Sequence, residues 1–223
     1  MAVTDKRSRR TRTALREALA DEIHETGDLS RVTVTGVTRR ADVTRRTFYS
    51  HYRDIPDLVA SLEDETICEL ATLARSISQV TLPELEEAIQ AFDPCPGAQD
   101  VLAYFRSNGR LLSALLGDGG DPAFVEKIKR MVREVVEVRA KHGFSPLLEA
   151  GFDYYLTFVI SAEVGVLVRW LTTGMTESDD TMARIMTALL FIRPGDLYGR
   201  PVNFEFPMFG SAVLAEGEET SNG

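Results

Sequence analysis

Apolar residues recur along the chain at the three-to-four-residue spacing of buried helix faces, with capping residues between the runs. Leu15, Leu19 and Ile23 mark one face of a first helix, and Gly27 stands where it would stop. Thr33 opens a short second helix carrying Val34, Val37 and Ala41. Asp42 and Val43 make a tight turn, and Thr44 caps a third helix of Arg45, Arg46, Thr47, Phe48, Tyr49, Ser50 and His51. A longer helix from about Asp54 aligns Leu58, Leu62, Ile67, Leu70 and Ile77. Thr81 and Glu84 have capping-box spacing for the next, which ends near the Asp93-Pro94-Cys95-Pro96-Gly97 breaker. Further helices are expected from about Ala98 to Leu116, from Asp121-Pro122 to Lys141 with Gly143 as stop, from Ser145-Pro146 to Thr173 with Gly174 as stop, and from Ser178 to Ile192. No segment alternates as a strand would, so the pattern predicts an all-α fold of about nine helices.

Beyond Pro194 the chain is punctuated by Gly and Pro, and its last eight residues are too polar to order themselves. Phe204, Phe206, Met208 and Phe209 are unusually apolar for a tail, and docking on the body or on a second subunit is expected of them.

The 223 residues, 44% hydrophobic and 26% charged, suffice for a folded core. The longest apolar stretch, Tyr154 to Val168, contains Glu163, ends at Arg169 and falls short of the roughly 20 residues a bilayer needs, so no membrane span is expected. The basic N-terminus lacks the apolar run of a secretory signal, and its acidic residues argue against a transit peptide. Cys68 and Cys95 suit neither a disulfide framework nor a zinc set, which points to reduced thiols and the cytoplasm. His24, His51 and His142 make no metal-binding spacing, and neither cysteine has a local His partner. Gly117-Asp118-Gly119-Gly120 lacks the preceding strand of a phosphate loop. Neither a catalytic residue, a metal nor a cofactor is expected.

Charge sharpens the reading because its two signs are segregated. Residues 1–53 hold 12 Lys and Arg against 7 Asp and Glu, whereas the rest holds 13 against 27. A small polyanion-binding module on an acidic body fits that asymmetry, as does a merely solvated basic face. The spacing within Thr33 to Ser50 is that of a helix-turn-helix, whose second helix fits the major groove. Val34, Val37, Ala41, Val43 and Phe48 can seat the helices. Arg45 and Arg46 can each pair with guanine O6 and N7, and Thr33, Thr44, Tyr49 and His51 offer donors to phosphates.

Thr44-Arg45-Arg46-Thr47-Phe48-Tyr49-Ser50-His51-Tyr52, after Val32-Thr33-Val34 and Arg40-Ala41-Asp42-Val43, resembles the TetR family of transcriptional regulators over roughly residues 10–60. The resemblance implies phosphate contacts from Thr33 and Tyr49, groove contacts from Arg45, Arg46 and Thr47, a backbone contact from His51, and a core role for Phe48. Two positions depart from the family pattern. Asp42 replaces the turn Gly, which its tolerance of left-handed backbone permits. Ile55 replaces a Lys that would touch phosphate, a loss that Arg53 or a flexible Lys6–Arg12 arm could compensate, the arm by entering a minor groove or by adding nonspecific affinity.

The segment Tyr154, Phe158, Gly165, Arg169-Trp170-Leu171, Gly174-Met175 and Ser178 is similar to the C-terminal region of the dihydroxyacetone-kinase-regulator branch of that family. The similarity implies a homodimer built on the last two long helices. Small Ser161 and Gly165 beside Ile160, Val164 and Val168 would permit close helix approach, between subunits or within one. The family also suggests an effector cavity, for which Tyr104, Phe105, Phe124, Tyr155, Phe158 and Trp170 are candidates, although such aromatics equally make a plain core. Glu163 and Arg169 interrupt the apolar helix and call for a ligand or a cross-subunit ion pair.

The expected organisation is a basic arm and helix-turn-helix over 1–53, a helical ligand-binding and dimerisation domain over 54–193, and a tail over 194–223. The expected function is that of a cytoplasmic repressor, a homodimer on a pseudo-palindromic double-stranded DNA operator, released by a small-molecule effector. The alternative is a DNA-binding adaptor or co-activator whose body docks a partner protein and holds no small ligand.

Overall fold

In the computed structural model, which describes residues 2–140 and 149–190, side-chain caps open helices where the sequence places them. The chain runs through α1 (Ala2–Thr26), a 3-10 turn (Leu29–Arg31), α2 (Val34–Arg40), α3 (Arg45–Tyr49), α4 (Ile55–Ile77), α5 (Leu82–Ala91), α6 (Ala98–Ser107), α7 (Gly109–Leu116), α8 (Pro122–Ala140), α9 (Glu149–Thr172) and α10 (Asp179–Leu189). Thr33, Thr44, Asp54, Thr81 and Ser178 each accept a backbone N–H of the first turn that no carbonyl can reach, and Thr81 with Glu84 closes a full capping box. Gly27 and Gly174 end α1 and α9 at φ +64° and +93°, backbone that a Cβ would strain.

The all-α expectation holds: the described residues form helices and no strand. Among the described residues there are ten α-helices where the pattern predicts about nine, because the stretch expected as one helix from Ala98 to Leu116 breaks at Asn108. Asn108 turns its side-chain amide back to the Tyr104 carbonyl at 2.9 Å and accepts from the Arg16 guanidinium of α1 at 2.6 Å. Beside it Gly109 is buried under Met175: a Cβ there would lie 2.4 Å from the Met175 methyl. The bend thus follows from two neighbours far away in sequence. A second correction concerns the Lys6–Arg12 run, expected as a flexible arm, which lies inside α1. The expected Gly143 stop, the Ser145-Pro146 start, the end of the last helix near Ile192 and the tail from Pro194 all lie outside the described residues.

The first three helices, the head, close on Leu15, Leu19, Val37 and Phe48, and α4 carries Leu58 from that cluster into the body. The body core gathers Leu102, Phe105, Leu112, Leu115, Phe124 and Trp170. Helix α1 packs on both α2 and α7, and α4 packs on α6 and α8, so head and body share two long helices. Phe152–Thr172 is, by length and composition, apolar enough to cross a bilayer, a longer span than the sequence reading allowed. In the fold its Leu156, Ile160, Val164, Leu167 and Leu171 belong to the body core.

Candidate nucleic-acid interface

Local caps set the geometry of the turn. Thr33 Oγ1 accepts the Gly36 N–H at 3.1 Å and Thr44 Oγ1 accepts the Thr47 N–H at 3.1 Å, so both hydroxyls are oriented and each keeps its own proton. Between them Asp42 adopts the left-handed conformation, φ +52°, and the Val43 N–H returns to the Thr38 carbonyl at 3.0 Å. This is the turn that a glycine would make without strain and that Asp tolerates.

Helix α3 then presents two different sides. Phe48 is wholly buried, edge-on to Tyr49 with ring centroids 5.6 Å apart, and anchors the helix to the head core. Arg45, Arg46 and Tyr49 face outward, Tyr49 being 57% exposed. The Arg45 guanidinium donates to the Thr35 hydroxyl of α2, while Arg46 has no protein partner among the described residues. Thr47 is half-buried, its hydroxyl 2.9 Å from that of Thr44, and His51 is half-buried beside the Tyr52 ring.

Acidic groups engage Arg39, Arg40 and Arg53. Buried Glu22 of α1 accepts from Arg40 Nε at 3.0 Å and has Arg39 at 3.8 Å, and Arg40 also pairs with Glu25. The Glu22 carboxylate lies over Gly36, where a Cβ would meet it at 2.2 Å, so α1 grips α2 through charge and a close approach together. These partners are 15 to 18 residues apart in sequence and carry no local signal. Arg53, one expected substitute for the missing Lys, pairs instead with Asp57 at 2.9 Å, an i, i+4 spacing the sequence did display. The Arg53 backbone N–H and then its guanidinium hold the Asp57 carboxyl below its ordinary range. Ile55 is 8% exposed and is part of the core, not of the surface where a Lys would stand.

The body candidates do not converge. Phe105, Phe124 and Trp170 are buried in the core, whereas Tyr155 and Phe158 are exposed. Tyr104 is edge-on to Phe105 and half-buried, and burial pushes its phenol up to about 12. Three cavities, of about 320, 360 and 460 Å³, are lined by other residues. Along α9, Ile160 and Val164 point into the subunit, Ser161 and Val168 are half-buried, and Gly165 faces open space. Tyr154, Phe158 and Ala162 share the open side of α9, and α10, which packs on α6, exposes Ile185 and Leu189. Glu163 and Arg169 have no ion-pair partner among the described residues, and burial pushes the Glu163 carboxyl up to about 7. No cluster of three metal-ligating side chains occurs among the described residues.

Comparison with known proteins finds three similarities. Residues 93–191 match a TetR family model described as transcriptional regulator C-terminal region. Over 88 residues the chain is 33% identical to the uncharacterized HTH-type transcriptional regulator YxbF of Bacillus subtilis (strain 168), a match covering 38% of this chain and 23% of that protein. The chain thus matches about a quarter of the length of that curated relative. The crystal structure of a TetR transcriptional regulator from Streptococcus agalactiae 2603V has the same fold, with a TM-score of 0.56 and 23% identity, over 85% of this chain and 98% of that one. Residues 93–191 are thus similar to the C-terminal region of TetR transcriptional regulators, and the chain shares its fold with one such regulator. The outward side of α3, with Arg45, Arg46 and Tyr49, is the candidate interface.

Proposed function

We propose that this protein is a sequence-specific repressor that binds a pseudo-palindromic operator as a homodimer, with residues 1–53 as the DNA-binding unit, 54–193 as the ligand-binding and dimerisation unit, and 194–223 as a tail. The observation that carries the reading is the two-sidedness of α3, where buried Phe48 holds Arg45, Arg46 and Tyr49 outward on a helix capped by Thr44. Arg45 and Arg46 read base edges in the major groove, and Thr47 faces it from the helix start. Thr33, Thr44, Tyr49 and His51 hold phosphates and set the register. Dimerisation uses the open side of α9 and the exposed face of α10. Burying Tyr154, Phe158, Ala162, Ile185 and Leu189 between two copies removes from water an apolar surface that one copy leaves exposed. A small effector weakens operator binding by favouring a different spacing of the two heads. The protein acts in the cytoplasm and performs no catalysis.

In vitro selection of genomic fragments at about 150 mM salt tests this directly, because nonspecific polyanion binding fades there and base readout persists. An inverted repeat is expected, and recovery of no common site would contradict the proposal. A second reading, a DNA-bound adaptor that docks a partner protein, draws on the exposed Tyr154, Tyr155 and Phe158. Thermal shift against a metabolite panel divides the two, since an effector at 100 times its Kd adds about 2.7 kcal/mol of stability and an adaptor responds to none.

A further inference from the structure

The cavity of about 320 Å³ lies where head meets body. One side is apolar, made by Leu29 and Val32 after α1 and by Ile55 and Val59 at the start of α4. The other side is ionic: Glu63 of α4, Asp121 just before α8, and Lys127 of α8. Glu63 is 1% exposed. Its Oε2 accepts from Lys127 Nζ at 2.5 Å, but its Oε1 is buried and has no hydrogen-bond partner among the described residues. Burial pushes the Glu63 carboxyl up, the Lys127 ammonium opposes that, and neighbouring Asp121 adds to the push. Asp121 Oδ1 accepts the Ala123 N–H at 2.8 Å, and while both carboxyl groups are ionised Asp121 offers Glu63 no donor.

Two carboxyl groups therefore share one ammonium, and a buried acceptor stays empty at the edge of an apolar space. Such a site lacks one hydrogen-bond-donating cation. A carboxylate guest would meet like charge, and an alcohol would leave the charge imbalance in place. A divalent metal would find two carboxyl groups, too few for its coordination, and an ammonium beside them.

We propose that this cavity binds a small organic ammonium, its N–H groups donating to Glu63 Oε1 and Asp121 and its hydrocarbon body lying along Leu29, Val32, Ile55 and Val59. The occupant touches head and body at once, because the walls come from the segment after α1, from α4 and from the start of α8. A guest that fits one head-to-body spacing better than another shifts the head toward it. That regulatory step rests on the operator-binding reading above, whereas the binding itself does not.

Titration calorimetry on the full chain with benzylamine tests the site, with benzyl alcohol and benzoate as controls of similar shape. The variants are Glu63→Gln and Ala60→Phe. Ala60 is exposed on the cavity lining, so a Phe there narrows the mouth without entering the core. The wild type is expected to bind one benzylamine per chain and neither control. Affinity should fall about tenfold or more in Glu63→Gln and vanish in Ala60→Phe. If Glu63→Gln does not fold, Ala60→Phe decides alone. Equal binding of benzyl alcohol, benzylamine binding that survives the substitutions, or no benzylamine binding at millimolar concentration by calorimetry and thermal shift would overturn the proposal. Operator affinity measured with and without benzylamine keeps the two claims apart. Binding that leaves operator affinity unchanged supports the site and removes its regulatory role.

Discussion

The backbone N–H of Leu29 donates to the carbonyl of Gly119 at 2.8 Å, which ties the 3-10 turn of the head to the loop between α7 and α8. The two segments meet backbone to backbone: a Cβ on Gly119 would stand 2.3 Å from the Gly27 carbonyl oxygen. Because this contact lies beside the ammonium-binding cavity, head and body are coupled there through main chain as well as through α1 and α4.

Gly119→Ala should lower stability by about 1–3 kcal/mol, the usual cost of forcing a methyl into rigid packing, and should change operator affinity as the head is displaced. Thermal melting and operator titration measure both. A variant that melts and binds like the wild type would show that the loop yields without moving the head.

On the outward side of α3, Arg45→Ala and Arg46→Ala should each remove about 1–3 kcal/mol of discrimination between operator and random DNA. Tyr49→Phe should weaken all sequences alike and leave the preference intact. Equal losses on operator and random DNA for the arginine variants would contradict a groove role.

Phe158 is 70% exposed on α9, in the open stripe with Tyr154 and Ala162. Phe158→Glu should yield monomers in sedimentation equilibrium at concentrations where the wild type is dimeric, and operator affinity should drop with it. The monomer should keep its helical circular dichroism, since the side chain is not part of the subunit core. A Phe158→Glu chain that remains dimeric places the interface elsewhere.

The Glu163 carboxyl, pushed by burial up to about 7 from an ordinary 4.5, gives a pH dependence with a definite sign. Between those values the folded chain keeps a proton that the unfolded chain releases, so stability falls as pH rises through that window and then levels off. Glu163→Gln should flatten this part of the profile and melt above the wild type at pH higher than about 7. Superimposable wild-type and variant profiles would mean that Glu163 finds a cationic partner in the dimer.

What the sequence determined by itself was local. A cap is a hydrogen bond across three residues, so Thr33, Thr44, Thr81 with Glu84, and Ser178 announce helix starts without help from the rest of the chain. The Asp42 turn and the inward Phe48 follow from the same short range, and with them the two sides of α3. Tertiary structure decided whatever depends on partners distant along the chain. The break at Asn108 is set by Arg16 and by Met175 over Gly109, and the fate of Arg39 and Arg40 by Glu22. Helix α9 is apolar nearly all round, so periodicity could not tell that Ile160 and Val164 turn inward while Phe158 and Gly165 turn out. The aromatics of the body were equally undecided, since residue type alone does not distinguish a core from a cavity wall. The cavity at the joint was hidden for the same reason: Leu29, Glu63 and Lys127 become neighbours only when α4 and α8 pack together.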